Sequence, residues 1–188
     1  MINIGLYFGT FNPVHIGHIN IANYILNNTS LDKVWIVPSP QSPFKITDEI
    51  LDFSHRLKML EIATRKIKDI SICDIEKNLS KPNYTINTLN ALKEKYPDIN
   101  FNIIMGSDNI DTLYKWEKAL DIIKNYNIYV YPRNNVENKV LDKNIIYLQA
   151  PIYNMSSSKI RSNLNNKELV KEELDPLVLD YITNTINK

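Results

Sequence analysis

The chain has 188 residues, with 22 basic against 21 acidic side chains and 44% hydrophobic content, which suits a soluble globule long enough for one domain with a sizeable core. Near-neutral charge without a block of either sign argues against a general nucleic-acid binder or a membrane-surface protein, so any polyanion bound is small. The single cysteine, the absence of a leader-like N-terminus and the absence of a run of about eighteen apolar residues argue against a disulfide framework, secretion and a membrane span, so the cytoplasm is the expected location.

Ile2 to Phe8 reads as a buried strand and Ile19 to Leu26 as a helix. Between them runs Gly9-Thr10-Phe11-Asn12-Pro13-Val14-His15-Ile16-Gly17-His18. Three of the chain's four glycines fall within the first seventeen residues, and a sequence this poor in glycine uses it where a side chain cannot fit. Strand, tight loop and helix N-terminus together form an anion site: first-turn N–H groups lack intrahelical partners, the dipole favours negative charge, and His15 and His18 share one helix face. Capping alone and a metal pair are the competing readings. No cysteine or acid in the loop completes a zinc set.

Further strands are expected at Lys33 to Val37, Ile70 to Asp74, Phe101 to Met105, Ile128 to Tyr131 and Ile145 to Leu148. Cys73 reads as a buried strand residue. The loop Pro38 to Asp52, with three prolines and Lys45, is long enough to cover a substrate, although a plain surface loop has the same composition. Ser54 is the expected N-cap of a helix carrying Leu57, Leu60 and Ile62, with His55 on its surface. Thr85 to Tyr96 repeats apolar positions at Ile86, Leu89 and Leu92 and stops before Pro97, and Trp116 to Lys124 follows the same pattern. Strands of this kind joined by helices predict an α/β fold, a doubly wound Rossmann-like parallel sheet with helices on both faces and ligands beyond the carboxyl ends of its strands. Residues 1–188 are read as a single domain, with 154–188 a helical C-terminal part whose last helix opens at Asp175-Pro176.

That part begins with Asn154-Met155-Ser156-Ser157-Ser158-Lys159-Ile160-Arg161. The serines cap a helix whose first turn presents Lys159 and Arg161, and a guanidinium can grip phosphate oxygens bidentately. Ordinary capping explains such a run on its own. Paired with the first loop, it gives a second set of donors for several phosphates of one nucleotide.

These two runs resemble the signatures of the nucleotidyltransferase superfamily related to class I aminoacyl-tRNA synthetases. A synthetase would need further domains for tRNA, for which 188 residues leave no room. The resemblance is closest to the bacterial nicotinate-nucleotide adenylyltransferases and runs from residue 3 to about residue 163. Pro38 to Lys45 is similar to their proline-rich loop ending in Pro-His-Lys. Asn83-Tyr84-Thr85-Ile86-Asn87-Thr88-Leu89 is similar to Ser-Tyr-Thr-Ile-Asp-Thr-Leu. Ile104-Met105-Gly106-Ser107-Asp108 with downstream Trp116 is similar to Ile-Ile-Gly-x-Asp and its tryptophan. Phe44, Asn83, Asn87, Glu117 and Ser158 depart from the pattern; Phe44 and Glu117 bear on substrate choice more than on the reaction.

The resemblance implies attack by the phosphate of nicotinate mononucleotide on the α-phosphorus of ATP, giving deamido-NAD and pyrophosphate. A phosphate is already ionised at pH 7, so positioning and charge neutralisation carry the reaction without a general base. It implies catalytic roles for His15, His18 and Arg161, and ATP contacts from Gly9, Thr10, Phe11, Gly106, Asp108, Ser157 and Ser158. Gly106 would admit a ribose and Asp108 accept its hydroxyls, although Asp108 also suits a helix N-cap. Trp116 would stack on the pyridine ring, Thr85 with neighbouring N–H groups would read the carboxylate, and Lys45 and Arg133 would each pair with a nucleotide phosphate; Trp116 as a core aromatic and the two cations as surface charges are the plainer alternatives. Mg²⁺ would arrive on ATP and need no dedicated protein ligands. Other acceptors, nicotinamide mononucleotide or phosphopantetheine, a cytidylyltransferase using CTP, and a nucleotide sensor without chemistry are the rival functions. Oligomeric state has no signal in the sequence.

Overall fold

In the computed structural model, which describes residues 1–40, 50–133 and 142–186, strands alternate with helices as far as β5, as the hydrophobic pattern predicts. The chain runs through β1 (Ile2–Gly9), α1 (Ile16–Asn28), β2 (Lys33–Pro38), α2 (Phe53–Thr64), β3 (Ile70–Ile72), α3 (Thr85–Lys95), β4 (Ile99–Gly106), α4 (Ile110–Leu113), α5 (Ala119–Asn125), β5 (Ile128–Tyr131), β6 (Ile145–Tyr147), α6 (Ser157–Asn163), α7 (Lys167–Val170) and α8 (Pro176–Tyr181). Single 3₁₀ turns sit at Ile75–Asn78 and Ser107–Asn109, and α8 passes into a π turn at Ile182–Ile186.

Six strands pair in the order β3-β2-β1-β4-β5-β6, and every pairing is parallel. Successive side chains of a strand point to opposite faces, so each central strand feeds two cores. Ile4, Leu6, Ile103, Met105, Ile128 and Val130 pack with α3, α4 and α5 on one face. Tyr7, Ile104, Tyr129 and Tyr131 pack on the other with α1, α2 and the C-terminal segment, which contributes Ile160, Val170, Leu174, Val178 and Ile182. Burial on both faces is why these strands are continuous apolar runs rather than alternating ones.

Helix connections lead outward in opposite directions from β1 and β4, so a crevice opens between their carboxyl ends. The loop from β1 to α1 and the turn after β4 flank it.

Several boundaries differ from the sequence reading. Helix α1 begins at Ile16, because His15 takes the N-cap position with extended backbone. Asp52, not Ser54, caps α2, its carbonyl accepting the N–H groups of His55 and Arg56 at 3.1 and 3.2 Å. His55 is half-buried, and its Nδ1 lies 2.8 Å from the Tyr181 hydroxyl, linking α2 to α8. Cys73 is half-buried just beyond β3 and extends that ladder through its N–H to the Ile36 carbonyl. Trp116 lies in a turn before α5: Lys118 adopts a left-handed backbone with φ 53°, which breaks the helical path between α4 and α5. Asp175 and Pro176 open α8 as expected, with the Asp175 carboxylate accepting the Leu177 N–H. Among the described residues no helix is long and apolar enough to cross a membrane.

Candidate active site

Two cavities of about 520 and 570 Å³ open along the crevice. Tyr7, Phe8, Gly9, Thr10, Asn109 and Tyr131 line both and form the seam between them. The first cavity runs toward Glu76, Asn83, Tyr84, Thr85 and Trp116; the second holds His15, His18, Asp108, Arg133, Ser156, Ser157, Ser158 and Arg161. Apart from Lys159, every expected site residue among the described ones therefore lines one of two adjoining spaces. Lys45 and Phe44 lie outside the described residues.

The histidine pair is built by packing. The rings of His15 and His18 stack with centroids 3.6 Å apart and planes inclined by 26°. A Cβ on Gly17 would lie 3.0 Å from His15 Nδ1, so glycine at 17 lets the His15 ring lie against the helix. His18 Nδ1 accepts the His15 backbone N–H at 3.2 Å, which leaves Nε2 to carry the ring proton when His18 is neutral. His15 is buried, and neither of its ring nitrogens has a hydrogen-bond partner. Burial, helped by the positive charge of Arg133, lowers its pKa to about 3. His15 is therefore uncharged at neutral pH.

The free first-turn amides expected at α1 are partly used. Ile16 donates to the Glu173 carbonyl at 2.9 Å, because the C-terminal segment folds back across the helix start, and His18 donates locally to the His15 carbonyl at 3.0 Å. Side chains thus carry more of this site's donor capacity than the sequence implies.

The second run is bound to the first. Ser157 Oγ donates to the Pro13 carbonyl at 2.9 Å, and Arg161 donates to the Asn12 carbonyl at 2.8 Å. Ser156 caps α6 by accepting the Lys159 N–H. Ser158 Oγ lies 3.5 Å from the Arg161 guanidinium. Lys159, expected to share the site, is exposed and outside the cavity lining, because its position on α6 points away from the crevice.

At the β4 end, glycine serves the carboxylate. A Cβ on Gly106 would collide with Asp108 Oδ1, so the missing side chain is the space that Asp108 occupies. Gly106 itself takes the N-cap position of the 3₁₀ turn, and Asp108 sits inside that turn instead of capping it. Phe11 has φ 50°, and its buried ring packs edge-on to Tyr7 and His18, so the ring belongs to the core beneath the loop.

A model of the cytidylyltransferase-like family matches residues 6–163. The proteins named probable nicotinate-nucleotide adenylyltransferase of Flavobacterium psychrophilum and Bacteroides thetaiotaomicron are 44% and 36% identical to the chain, the first over 98% of this chain and 97% of that protein, the second over 100% and 94%. The chain belongs to the nicotinate-nucleotide adenylyltransferase family. A solved Plasmodium falciparum nicotinic acid mononucleotide adenylyltransferase, complexed with NaAD, shares its fold with a TM-score of 0.79 at 23% identity, covering 98% of this chain and 96% of that one.

In this member of the nicotinate-nucleotide adenylyltransferase family further residues that the sequence did not flag line or support the crevice. The Tyr7 and Tyr131 hydroxyls meet at 3.1 Å. Ser107 Oγ donates to the Arg133 carbonyl at 2.9 Å and accepts the Arg133 N–H at 2.8 Å, fixing the backbone that carries that guanidinium. Arg56, 1% exposed, donates to the carbonyls of Leu51, Thr10 and Ser39 at 2.8 to 2.9 Å. Glu76 is buried at the first cavity and accepts from Thr88 Oγ1 at 2.8 Å; burial raises its pKa, against the pull of the Thr88 and Ser39 hydroxyls. Tyr7, Tyr131 and Arg56 sit in ordinary strand or helix patterns, and Glu76 and Ser107 in single 3₁₀ turns. The strand-end position of the tyrosines was the only available signal.

Proposed function

We propose that the chain transfers AMP from ATP to nicotinate mononucleotide, giving deamido-NAD and pyrophosphate. The observation that carries this reading is the meeting of two cavities at one seam: one lined by Trp116, Tyr84 and Thr85, suited to a planar ring, and one lined by two histidines and two arginines, suited to a triphosphate. The names of the relatives support the same chemistry.

Oxygen of the mononucleotide phosphate attacks the α-phosphorus, and the bond to the bridging oxygen of pyrophosphate breaks. The nucleophile is ionised at neutral pH, so the protein positions and neutralises. His15 and His18 act on the α-phosphate, and an arriving phosphate gives His15 the hydrogen-bond partner it lacks. Arg161 with Ser158 holds the departing pyrophosphate; Ser157 acts chiefly by fixing α6 to Pro13. Arg133 pairs with a phosphate, and Asp108 receives ribose hydroxyls. Trp116 stacks on the pyridine ring and Thr85, at the start of α3, reads its carboxylate. Asp108 is the one carboxylate among the described residues of the phosphate cavity, which fits a Mg²⁺ ion held by ATP oxygens. When bound, that ion supplies additional positive charge to the phosphates. Transfer to nicotinamide mononucleotide is the second reading, since backbone donors at the start of α3 do not by themselves exclude an amide.

Pyrophosphate release from Mg-ATP, with nicotinate mononucleotide, nicotinamide mononucleotide and phosphopantetheine offered separately, tests this. The expected outcome is a kcat/KM for the acid about a hundredfold above the amide, no turnover of phosphopantetheine, and loss of release on chelation of the divalent metal. No release with the acid overturns the assignment.

A further inference from the structure

The reaction needs its charge-stabilising groups where the two substrates meet, and six residues line both cavities. Of these, Phe8 and Gly9 offer no side-chain donor. Thr10 and Asn109 sit in the loops that follow the strands, whereas Tyr7 and Tyr131 stand on β1 and β5, 3% and 6% exposed, with ring centroids 5.8 Å apart and near-perpendicular planes. Resting on the adenylyl-transfer reading above, we infer that the hydrogen-bonded hydroxyls of Tyr7 and Tyr131 form a catalytic donor pair at the seam, giving a hydrogen bond to the phosphate oxygens there as the new P–O bond forms.

Donor counting supports this. Two phenols hold two O–H groups, and their mutual contact at 3.1 Å uses one. The accepting phenol therefore keeps a proton to direct elsewhere, and the seam is the polar destination that both residues line. The guanidinium carbon of Arg133 lies 5.8 Å from the centre of the Tyr131 ring. Burial acts to lower the Arg133 pKa, but the nearby Asp108 carboxylate opposes it and the balance lies above the ordinary arginine value, so the guanidinium is charged. Burial first, and then Tyr131, holds the Tyr7 phenol well above its ordinary pKa, so it is an intact donor at working pH. Arg133, Tyr131 and Tyr7 thus line up as cation, phenol and phenol, an order in which each group polarises the next. The phenols transfer no proton. The bond to the α-phosphorus forms, the bond to pyrophosphate breaks, and the donor pair stays protonated while charge shifts toward the leaving group.

Tyr7→Phe, Tyr131→Phe and the double variant test this, because each removes only hydroxyls from rings that stay packed. With saturating Mg-ATP and nicotinate mononucleotide, each single variant is expected to lose about tenfold or more in kcat, with both KM values within about threefold of wild type and the melting temperature little changed. The double variant is expected to lose no more than the worse single one, because the two hydroxyls act as a unit. A kcat within about threefold of wild type in either single variant overturns the inference. So does a loss confined to KM or melting temperature, which would make the pair a packing or ground-state contact, and so does a double-variant loss equal to the product of the singles. Wild-type turnover, measured alongside, reports separately on the substrate assignment: its absence with every acceptor fails that reading, and this one with it.

Discussion

His15 stands in the site with both ring nitrogens unpartnered and its pKa lowered to about 3 by burial and then by Arg133. An unfolded histidine titrates near 6.5, so between about pH 6.5 and pH 3 the unfolded chain binds a proton that the folded chain does not. Stability therefore rises with pH through that window and is lost as pH falls. Urea unfolding at about pH 7.5 and pH 5 is expected to show wild type losing about 2 kcal/mol more than His15→Gln. Equal losses would mean that His15 is not held neutral by the fold. Gly17 belongs to the same argument, since it makes room for the ring whose burial causes the shift. The sequence showed which residues gather in this loop. It did not show that His15 would be buried or that Glu173 would occupy an amide of α1, because Glu173 lies more than a hundred residues away.

Between elements, the chief tie around the crevice is the Arg56 guanidinium on α2. It donates to Thr10 after β1, to Ser39 after β2 and to Leu51 before α2, and it also lies 5.3 Å over the Phe53 ring. Burial lowers its pKa to about 10, with Asp52 opposing the shift. Its acceptors are carbonyls, which would be left without donors if it were removed. Arg56→Met is expected to cost roughly 2 to 5 kcal/mol of unfolding free energy in urea, and Arg56→Lys to recover only part, because an ammonium cannot span the same fork of carbonyls. A change below about 0.5 kcal/mol would mean the carbonyls find water instead. The expected N-cap Ser54 lies within two residues of Asp52, where α2 starts. Helical periodicity could not pick out Arg56, which by pattern is one more charged residue on an amphipathic helix.

For the whole molecule, ligand and fold should be coupled, since the phosphate cavity is walled by segments from both ends of the chain: the loop after β1 and the start of α6, held together by Ser157 to Pro13 and Arg161 to Asn12. A nucleotide that bridges them binds the folded state alone. A non-hydrolysable ATP analogue with magnesium at about 100 times its Kd is expected to add about 2.7 kcal/mol, or roughly 5 to 10 °C in melting temperature for a chain of this size. The Arg161→Ala variant should lose most of that shift. An unchanged shift would place the triphosphate away from α6.

By itself the sequence determined the sheet and the chemistry of its loops. Apolar runs separated by helix-length segments leave parallel pairing as the way to bury both strand faces, and the Gly9 to His18 and Ser156 to Arg161 runs carry phosphate-binding residue types wherever they lie. Only the tertiary structure decided the rest. It placed the two runs on either side of one cavity, put Trp116 in a turn instead of a helix, brought Tyr7 against Tyr131 across 124 positions of sequence and buried Arg56 beneath three loops. Periodicity records which face of an element is apolar, a local property of neighbouring residues. Juxtaposition, burial and the pKa shifts that follow from them are set by elements distant in the chain, and no local pattern encodes them.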